Sequence, residues 1–383
     1  MKNFSELSLS PVLVSNLTRN GFVTMTPVQT EAIPPALDGR DLIATAQTGT
    51  GKTLAFVLPL LETLLKHKTA KGIQADARGI RAVVLSPTRE LAMQIHAVFG
   101  TLAQGSGISA AVVVGGMNED RQLTNIKKGA AVLIATPGRL ADFMERRLVR
   151  LAGVRVLVLD EADRMLDMGF LPTIKRILSE LPATRQTLFF SATIENSVAH
   201  LMHQHLQDPV RVAVGEITRP VESIDLHLYE TEQTDKVSLL GSLLDREKGT
   251  FLVFTRTKHG ADRLAKQLDR RGVNATRIHG NRSQGQRNAA LKGFQEGQFR
   301  VLVATDVAAR GIHVEGIAHV VNFDLPMVPE DFIHRVGRTG RAGKGGTAST
   351  FATVAERGEI KRIERTLNIK LKRAVQSPKR AIA

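Results

Sequence analysis

The chain has 383 residues, with 52 Lys and Arg against 37 Asp and Glu, a formal net charge of +15. Hydrophobic residues make up 43% and charged residues 23%, the proportions of a folded protein and not of a disordered one. There is no cysteine, which excludes disulfides, thiolate metal sites, iron–sulfur clusters and cysteine nucleophiles. The charge excess points to a polyanionic partner. Aromatics are only 4%, so binding through many stacked bases is not expected. No apolar run approaches the ~18–20 residues of a membrane helix. The first residues, MKNFSELSLSPVLVSNL, lack a signal peptide's unbroken apolar stretch. A cytoplasmic protein with no membrane partner is expected.

From 40 to 214, short β-branched runs alternate with segments of helical spacing. The runs are 41–46, 81–86, 110–116, 131–136, 154–160, 186–193 and 209–214. They are nearly continuous in apolar residues, as strands buried on both faces are. This predicts an α/β domain with a parallel sheet over 1–214. Residues 215–222, GEITRPVE, read as a linker. The pattern restarts with 251–257, 275–280, 300–306 and 318–324, which predicts a second α/β domain over 223–368. An amphipathic helix, IKRIERTLNIK, begins the C-terminal part, and 369–383 reads as a short basic tail that could serve as an auxiliary phosphate-binding arm.

AQTGTGKT (46–53) follows a strand and opens a helix, the context of a phosphate-binding loop. It comprises Ala46, Gln47, Thr48, Gly49, Thr50, Gly51, Lys52 and Thr53. Gly49 and Gly51 let backbone N–H groups turn inward on phosphate oxygens. Lys52 suits the β- and γ-phosphates, and the Thr53 hydroxyl suits Mg²⁺. The general pattern starts with Gly; here that place is Ala46. Asp160 and Glu161 end the strand VRVLVLD, at the edge where open parallel sheets bind ligands. One carboxylate there can hold Mg²⁺ and its neighbour can orient or deprotonate a water.

With the box Asp160-Glu161-Ala162-Asp163, the chain resembles the DEAD-box ATP-dependent RNA helicases of helicase superfamily 2 over about residues 4–350. The resemblance implies two tandem RecA-like domains, with ATP and Mg²⁺ as cofactors and RNA as partner. GFVTMTPVQ (21–29) resembles the family's adenine-reading motif, with Phe4 as its upstream aromatic. The Gln29 amide offers the donor and acceptor that adenine needs, and Phe22 a face for stacking. Ser191 and Thr193 match the coupling motif, whose hydroxyls are expected to bond Asp163.

Pro87, Thr88 and Arg89, then Gly115 and Gly116, then Thr136, Pro137, Gly138 and Arg139 sit at strand ends or helix starts. They match the family's first-domain RNA contacts, which grip phosphates and read no sequence. In the second half Arg256, Gly280, Gln284, Arg287 and Thr305 are the matching RNA residues. Asp306 and Gly311 match nucleotide contacts, and His334 a coupling position. Arg338 and Arg341, beside Arg335 in HRVGRTGR, match the fingers that cross an interdomain cleft to the γ-phosphate. One position departs: after ARGI the family has Asp, and this chain has His313, which loses the fixed negative charge and puts the ribose contact in doubt.

The function implied is RNA-stimulated ATP hydrolysis coupled to closure of the cleft and local unwinding of short duplexes, or remodelling of RNA–protein complexes. An RNA clamp with little turnover and a DNA helicase of the same superfamily are the competing readings. A monomer is expected, with ribosome-assembly or RNA-decay proteins as possible partners.

Overall fold

The computed structural model describes residues 2–46, 49–69, 79–192, 196–214, 224–309, 316–340 and 345–374, without the side chains of 68, 69, 196–200, 307, 309 and 330. The chain divides into two compact units, Met1–Glu216 and Ile217–Ala383. In the first, the strands are β1 (Leu42–Thr45), β2 (Ala82–Leu85), β3 (Ala110–Val113), β4 (Val132–Ala135), β5 (Val156–Leu159), β6 (Gln186–Ser191) and β7 (Val210–Ala213). They form one seven-stranded sheet in the order β3-β4-β2-β5-β6-β1-β7, and every pairing is parallel.

Alternation along these strands explains the layers. Leu42, Val84, Ile134, Val158 and Phe190 face one side, against the helices Pro27–Leu37, Lys52–Thr69 and Arg89–Ala103. Ile43, Val83, Leu133, Leu157 and Phe189 face the other, against Pro137–Glu145, Leu171–Ser179 and Asn196–His205. Both faces of the five central strands are buried, so nearly every residue in them is apolar.

The second unit has β8 (Ile224–Glu230), β9 (Thr250–Phe254), β10 (Ala275–Ile278), β11 (Val301–Ala304), β12 (Ile317–Asn322), β13 (Gly346–Ala352) and β14 (Lys372–Arg373). Their order, β10-β11-β9-β12-β13-β8-β14, repeats that of the first sheet strand for strand. All pairings are again parallel. Both sheets match the α/β architecture expected of a tandem arrangement.

The structure adds three strands to the sequence reading of this unit. β8, IDLHLYE, alternates in exposure along its length, and β13, GTASTFA, is made of small and hydroxyl residues; neither is an apolar run. β14 corrects the view of 369–383 as a free tail. Ile369 and Leu371 are buried in the core, and Lys372 and Arg373 pair with β8. Lys372 also bonds Asp225 at 2.6 Å. Residues 215–223 and 375–383, the whole linker and the rest of the tail, lie outside the described residues.

His319 on β12 is 3% exposed, stacked on Phe251 with ring centroids 4.8 Å apart, its Nε2 2.8 Å from Ser349 Oγ. Burial first, and the charge of His227 second, lower its pKa from 6.5 to about 4. In the unfolded chain a histidine takes up its proton near pH 6.5, whereas the folded one resists until about 4. Protonation thus favours the unfolded state as pH falls from 6.5 to 4, costing on the order of 3 kcal/mol at the lower end. His319→Gln should remove this slope. Denaturant unfolding of both proteins across that range checks it, and parallel curves would contradict the assignment.

Candidate nucleotide and nucleic-acid site

β5, β6 and β1 lie side by side, and the carboxyl end of each delivers one part of a cluster. β1 leads into the glycine-rich loop. Gly49 and Gly51 have φ of +90° and +92°, the region that favours glycine. A Cβ on Gly51 would also lie 2.5 Å from Gln29 Nε2. Lys52 starts the helix Lys52–Thr69, is buried, and its Nζ donates to Ala46 O at 2.9 Å. Thr53 follows it on the first turn. Gln47 and Thr48 lie outside the described residues.

The adenine-motif residues grip this loop directly. Gln29 Nε2 donates to Gly51 O at 3.0 Å and Thr26 Oγ1 to Thr50 O at 2.7 Å. Gln29 Oε1 accepts from Thr26 N at 2.8 Å, which caps the helix Pro27–Leu37. Gln29 keeps a second N–H and a second lone pair for a base. Phe22 is 36% exposed, but Phe4 is 4% exposed and belongs to the core. Phe4 packs there beside the segment 22–26, its N–H donating to Val23 O at 3.0 Å.

At the end of β5, Asp160 is 2% exposed and its Oδ1 has no hydrogen-bond partner. Desolvation pushes its pKa up to about 7 against the pull of Lys52, with Glu161 and Asp163 adding to the rise. A buried carboxylate with an unused acceptor beside a phosphate loop fits a hydrated cation. Glu161 has φ 51° and ψ 52°, a costly conformation for a non-glycine residue of the kind that clusters at active sites. Arg164 Nη1 holds its Oε2 at 2.5 Å, both residues being buried.

β6 brings Ser191 against the same segment. Ser191 Oγ accepts from Asp163 N at 3.3 Å, and Asp163 Oδ2 accepts from Ala192 N at 3.0 Å. The expected link between the two motifs is thus made in part by backbone N–H of Ala192. Thr193 lies outside the described residues.

The other half of the sheet edge, β3-β4-β2, carries the anion-binding types. Thr88 caps the helix Arg89–Ala103, accepting from Leu91 N at 3.3 Å, and Pro87 precedes it. Thr136 occupies the N-cap position of Pro137–Glu145 without a side-chain cap bond, with Pro137 at the first helical position, Gly138 next and Arg139 after it. Arg89 lies over the glycine pair: a Cβ on Gly116, whose φ is +72°, would come 2.0 Å from Arg89 Nη1, and one on Gly115 3.4 Å from Nη2. Arg139 is engaged within the protein, its Nη1 2.8 Å from Glu119 Oε2 and 3.2 Å from Asp142 Oδ2. Arg146 and Arg139 hold the Glu119 carboxyl below the usual range.

Sequence reasoning missed Arg164, three residues after Glu161, and Gln122. Buried Gln122 accepts from Val114 N at 2.9 Å and donates to Val114 O at 3.0 Å and Met117 O at 3.2 Å. It holds the Gly115–Gly116 turn, and an amide on a surface helix gives no signal of that.

In the second unit β10, β11 and β9 are neighbours. Gly280 follows β10, and Gln284 and Arg287 lie on the first turn of the helix Gln284–Gln295, which Ser283 caps. Arg287 is buried. Thr305 follows β11, and Arg256 follows β9 with its N–H donating to Asp324 Oδ2 at 2.9 Å. Asp306 is bound by Arg335 through two parallel bonds, Nε–Oδ1 at 2.6 Å and Nη2–Oδ2 at 2.7 Å. Arg335 also donates to Asn322 Oδ1 and Asp324 O and lies over Phe254. Arg338 Nε donates to His334 O at 3.2 Å. Gly311, His313 and Arg341 lie outside the described residues.

Known proteins share these features. Residues 26–201 match the DEAD/DEAH box helicase family and 235–343 the helicase conserved C-terminal domain. DEAD-box ATP-dependent RNA helicase CshA of Bacillus cereus (strain ATCC 10987 / NRS 248) is 42% identical over 97% of this chain and 70% of its own. CshA of Bacillus subtilis (strain 168) is 41% identical over 97% and 73%. Among solved structures, S. cerevisiae Dbp5 bound to RNA and ADP BeF3 superposes with a TM-score of 0.84 at 30% identity, covering 98% of this chain and 96% of that one. Mss116p bound to ssRNA and AMP-PNP gives 0.87 at 28% identity, covering 98% and 79%. The two sheets are therefore a tandem RecA-like helicase core. The chain belongs to the DEAD-box helicase family.

Gln122→Ala should leave Val114 N–H and two carbonyls without their partners. It should lower stability by about 2 kcal/mol and weaken RNA binding through the loosened turn. Chemical denaturation and filter binding check both; unchanged affinity would dissociate the turn from RNA.

Proposed function

We propose that the chain is an ATP-dependent RNA helicase in which RNA-stimulated ATP hydrolysis drives local separation of short duplexes or remodelling of RNA–protein complexes. The observation that carries this is the cluster at the ends of β1, β5 and β6: a phosphate loop, the buried Asp160-Glu161 pair, and Asp163 bonded to the Ser191-Ala192 segment. The family membership and the RNA-bound relatives support it. All the motif positions needed for turnover are occupied, which favours an enzyme over a passive clamp.

The chemistry follows from the residues. Lys52 leaves Ala46 O and takes the β- and γ-phosphates as they settle on the loop N–H groups. Asp160 and Thr53 are the residues that would hold Mg²⁺, which when bound neutralises charge on the β- and γ-oxygens. Glu161, fixed by Arg164, orients the attacking water and accepts its proton. The water oxygen bonds to the γ-phosphorus as the bond to the β–γ bridging oxygen breaks. Arg338, from the second unit, stabilises the charge that spreads over the γ-phosphoryl oxygens. Hydrolysis then requires both units on one nucleotide, with Arg341 as the second finger.

RNA is gripped at phosphates by Thr88, Arg89, Gly116 and Thr136, with Gln284, Arg287 and Thr305 on the other unit. Such contacts carry no sequence information. We assign the choice of RNA to partners, with ribosome-assembly and RNA-decay proteins foremost, acting on a cytoplasmic monomer. Asp163 ties the nucleotide side to β6, so ATP and RNA each strengthen the other's binding.

Lys52→Ala should abolish phosphate release, and persistence of the wild-type rate would refute the site. Glu161→Gln should bind ATP and RNA yet turn over roughly 100-fold or more slowly; normal turnover would remove Glu161 as the base. Arg338→Ala should keep nucleotide binding and lose RNA stimulation. A phosphate-release assay with and without single-stranded RNA or DNA reads all three and also separates RNA from DNA dependence.

A further inference from the structure

Lys236 belongs to none of the motifs above. It opens the helix Lys236–Arg246, and its side chain is buried. A helix N-terminus disfavours a cation, and burying the charge costs more than burying an apolar residue of the same length. Local stability does not account for a lysine there; what it touches does. Nζ donates to Phe323 O at 3.0 Å and lies over the Phe323 ring. It stands 3.8 Å from Asp324 Oδ1 and 3.7 Å from Glu356 Oε2. An ammonium carries three donors and no acceptor, so one head group faces a carbonyl and two carboxylates at once. Burial works against ionisation of Glu356, but the Thr353 N–H and then Lys236 hold its carboxyl below the usual range.

Phe323 and Asp324 leave the end of β12 beside the end of β9, their N–H groups donating to Phe254 O at 3.0 and 3.2 Å. Two arms run from this point. In one, Asp324 Oδ2 accepts from Arg256 N at 2.9 Å, and Glu356 Oε1 lies 3.8 Å from Arg256 Nη2. In the other, Asp324 O accepts from Arg335 Nη1 at 2.7 Å, and Arg335 grips both carboxylate oxygens of Asp306. The first arm ends on Arg256, one of the residues matched to RNA contacts. The second ends on Asp306, matched to nucleotide contacts. Lys236 stands where the arms meet.

We propose that Lys236 is a positioning residue that couples RNA binding to ATP binding in the second unit, an inference that deepens the function proposed above and rests on it. Lys236 touches neither ligand. It holds the Phe323 carbonyl and steadies the Asp324 carboxylate, so the backbone of Arg256 and the guanidinium of Arg335 are set against the same residue. A ligand that orders one arm orders the other through Asp324, and the second ligand meets a site already arranged. Without the ammonium, Asp324 and Glu356, both part-exposed, turn to water, and the arms set independently. An apolar side chain of similar volume is tolerated in place of a buried cation, so the loss falls on coupling and not on the fold.

Fluorescence anisotropy of a labelled single-stranded RNA, titrated with the full chain with and without a non-hydrolysable ATP analogue and Mg²⁺, reads the coupling as the ratio of two dissociation constants. Both are taken on one preparation, so a loss of folded protein cancels in the ratio. Lys236→Met should lower the ratio by about tenfold, within the range that residues of a coupled network command. Glu356→Gln, whose amide oxygen still accepts from the Thr353 N–H, should lower it by about threefold, and it decides the matter if Lys236→Met does not fold. Arg300→Met removes bonds to the carbonyls of Leu244, Glu247 and Gly249 at the opposite edge of the same sheet and should leave the ratio unchanged. A wild-type ratio in both Lys236→Met and Glu356→Gln would overturn this inference alone. An equal fall with Arg300→Met would also overturn it, since general loosening of the unit would then be the cause. A ratio near one in the wild-type chain would overturn the proposed function together with the inference.

Discussion

A buried aspartate left with an open acceptor beside a buried lysine organises the nucleotide side of this protein. Lys52 Nζ is taken by Ala46 O, and Asp160 Oδ1 has no partner. Had the two charges closed on each other, the edge would be a finished ion pair with nothing to offer a ligand. Desolvation raises the Asp160 pKa and Lys52 only partly restrains it. Such an arrangement costs stability. It stands because β5, β6 and β1 are held by apolar residues on both faces and by backbone ladders that tolerate a polar end. Under the proposed function, phosphate and a cation would complete it.

The second unit solves the same problem differently. Asp306 also follows a strand in a parallel sheet, yet Arg335 satisfies both its oxygens, and Asn322, the Asp324 carbonyl and the Phe254 ring fill the remaining faces of the guanidinium. Removing one member would leave a buried charge alone, which is far more costly than the pair itself is stabilising. This pair ties the helix Pro329–Val336 to the end of β11 and so sets where Arg338, two residues past the helix, emerges. In the first unit the charge is kept for substrate; in the second it is spent on placing an arginine.

Much of this is legible in the sequence, and the reasons differ by element. Strands rich in apolar residues declare themselves as runs, so all seven of the first sheet can be read from the residues, including the edge strand β7, where only Val212 is buried. β8 and β13 cannot, because one alternates and the other packs through Ala, Ser and Thr. Motif residues can be placed at strand ends from order alone, but not their partners. Nothing near Arg139 in sequence announces Glu119, 20 residues earlier, which shares it with Asp142. Phe4 carries the aromatic type expected of a base contact, but whether such a ring is offered or buried depends on packing that spacing does not encode. Glu161 is a further case: its left-handed backbone follows from the turn between β5 and its helix, not from any preference of glutamate.

The repeated strand order also separates what the fold demands from what this chain has chosen. In the second sheet β9, β12 and β13 take the places of β2, β5 and β6. The residues just before them are Gly249, Gly316 and Gly345, where the first unit has Arg81, Arg155 and Arg185. A parallel sheet of this topology therefore closes its amino-terminal edge without arginines. Long side chains are not needed there to cover the strand starts, since a glycine at each of the three places covers nothing. Parallel strands gather the residues that precede them on one edge and those that follow on the other, so a sheet can present two surfaces of different chemistry with no contact between them. On the first sheet the following edge holds opposed charges open for a nucleotide. The preceding edge carries Arg81, Arg155 and Arg185 in one register row, where the second sheet has three glycines.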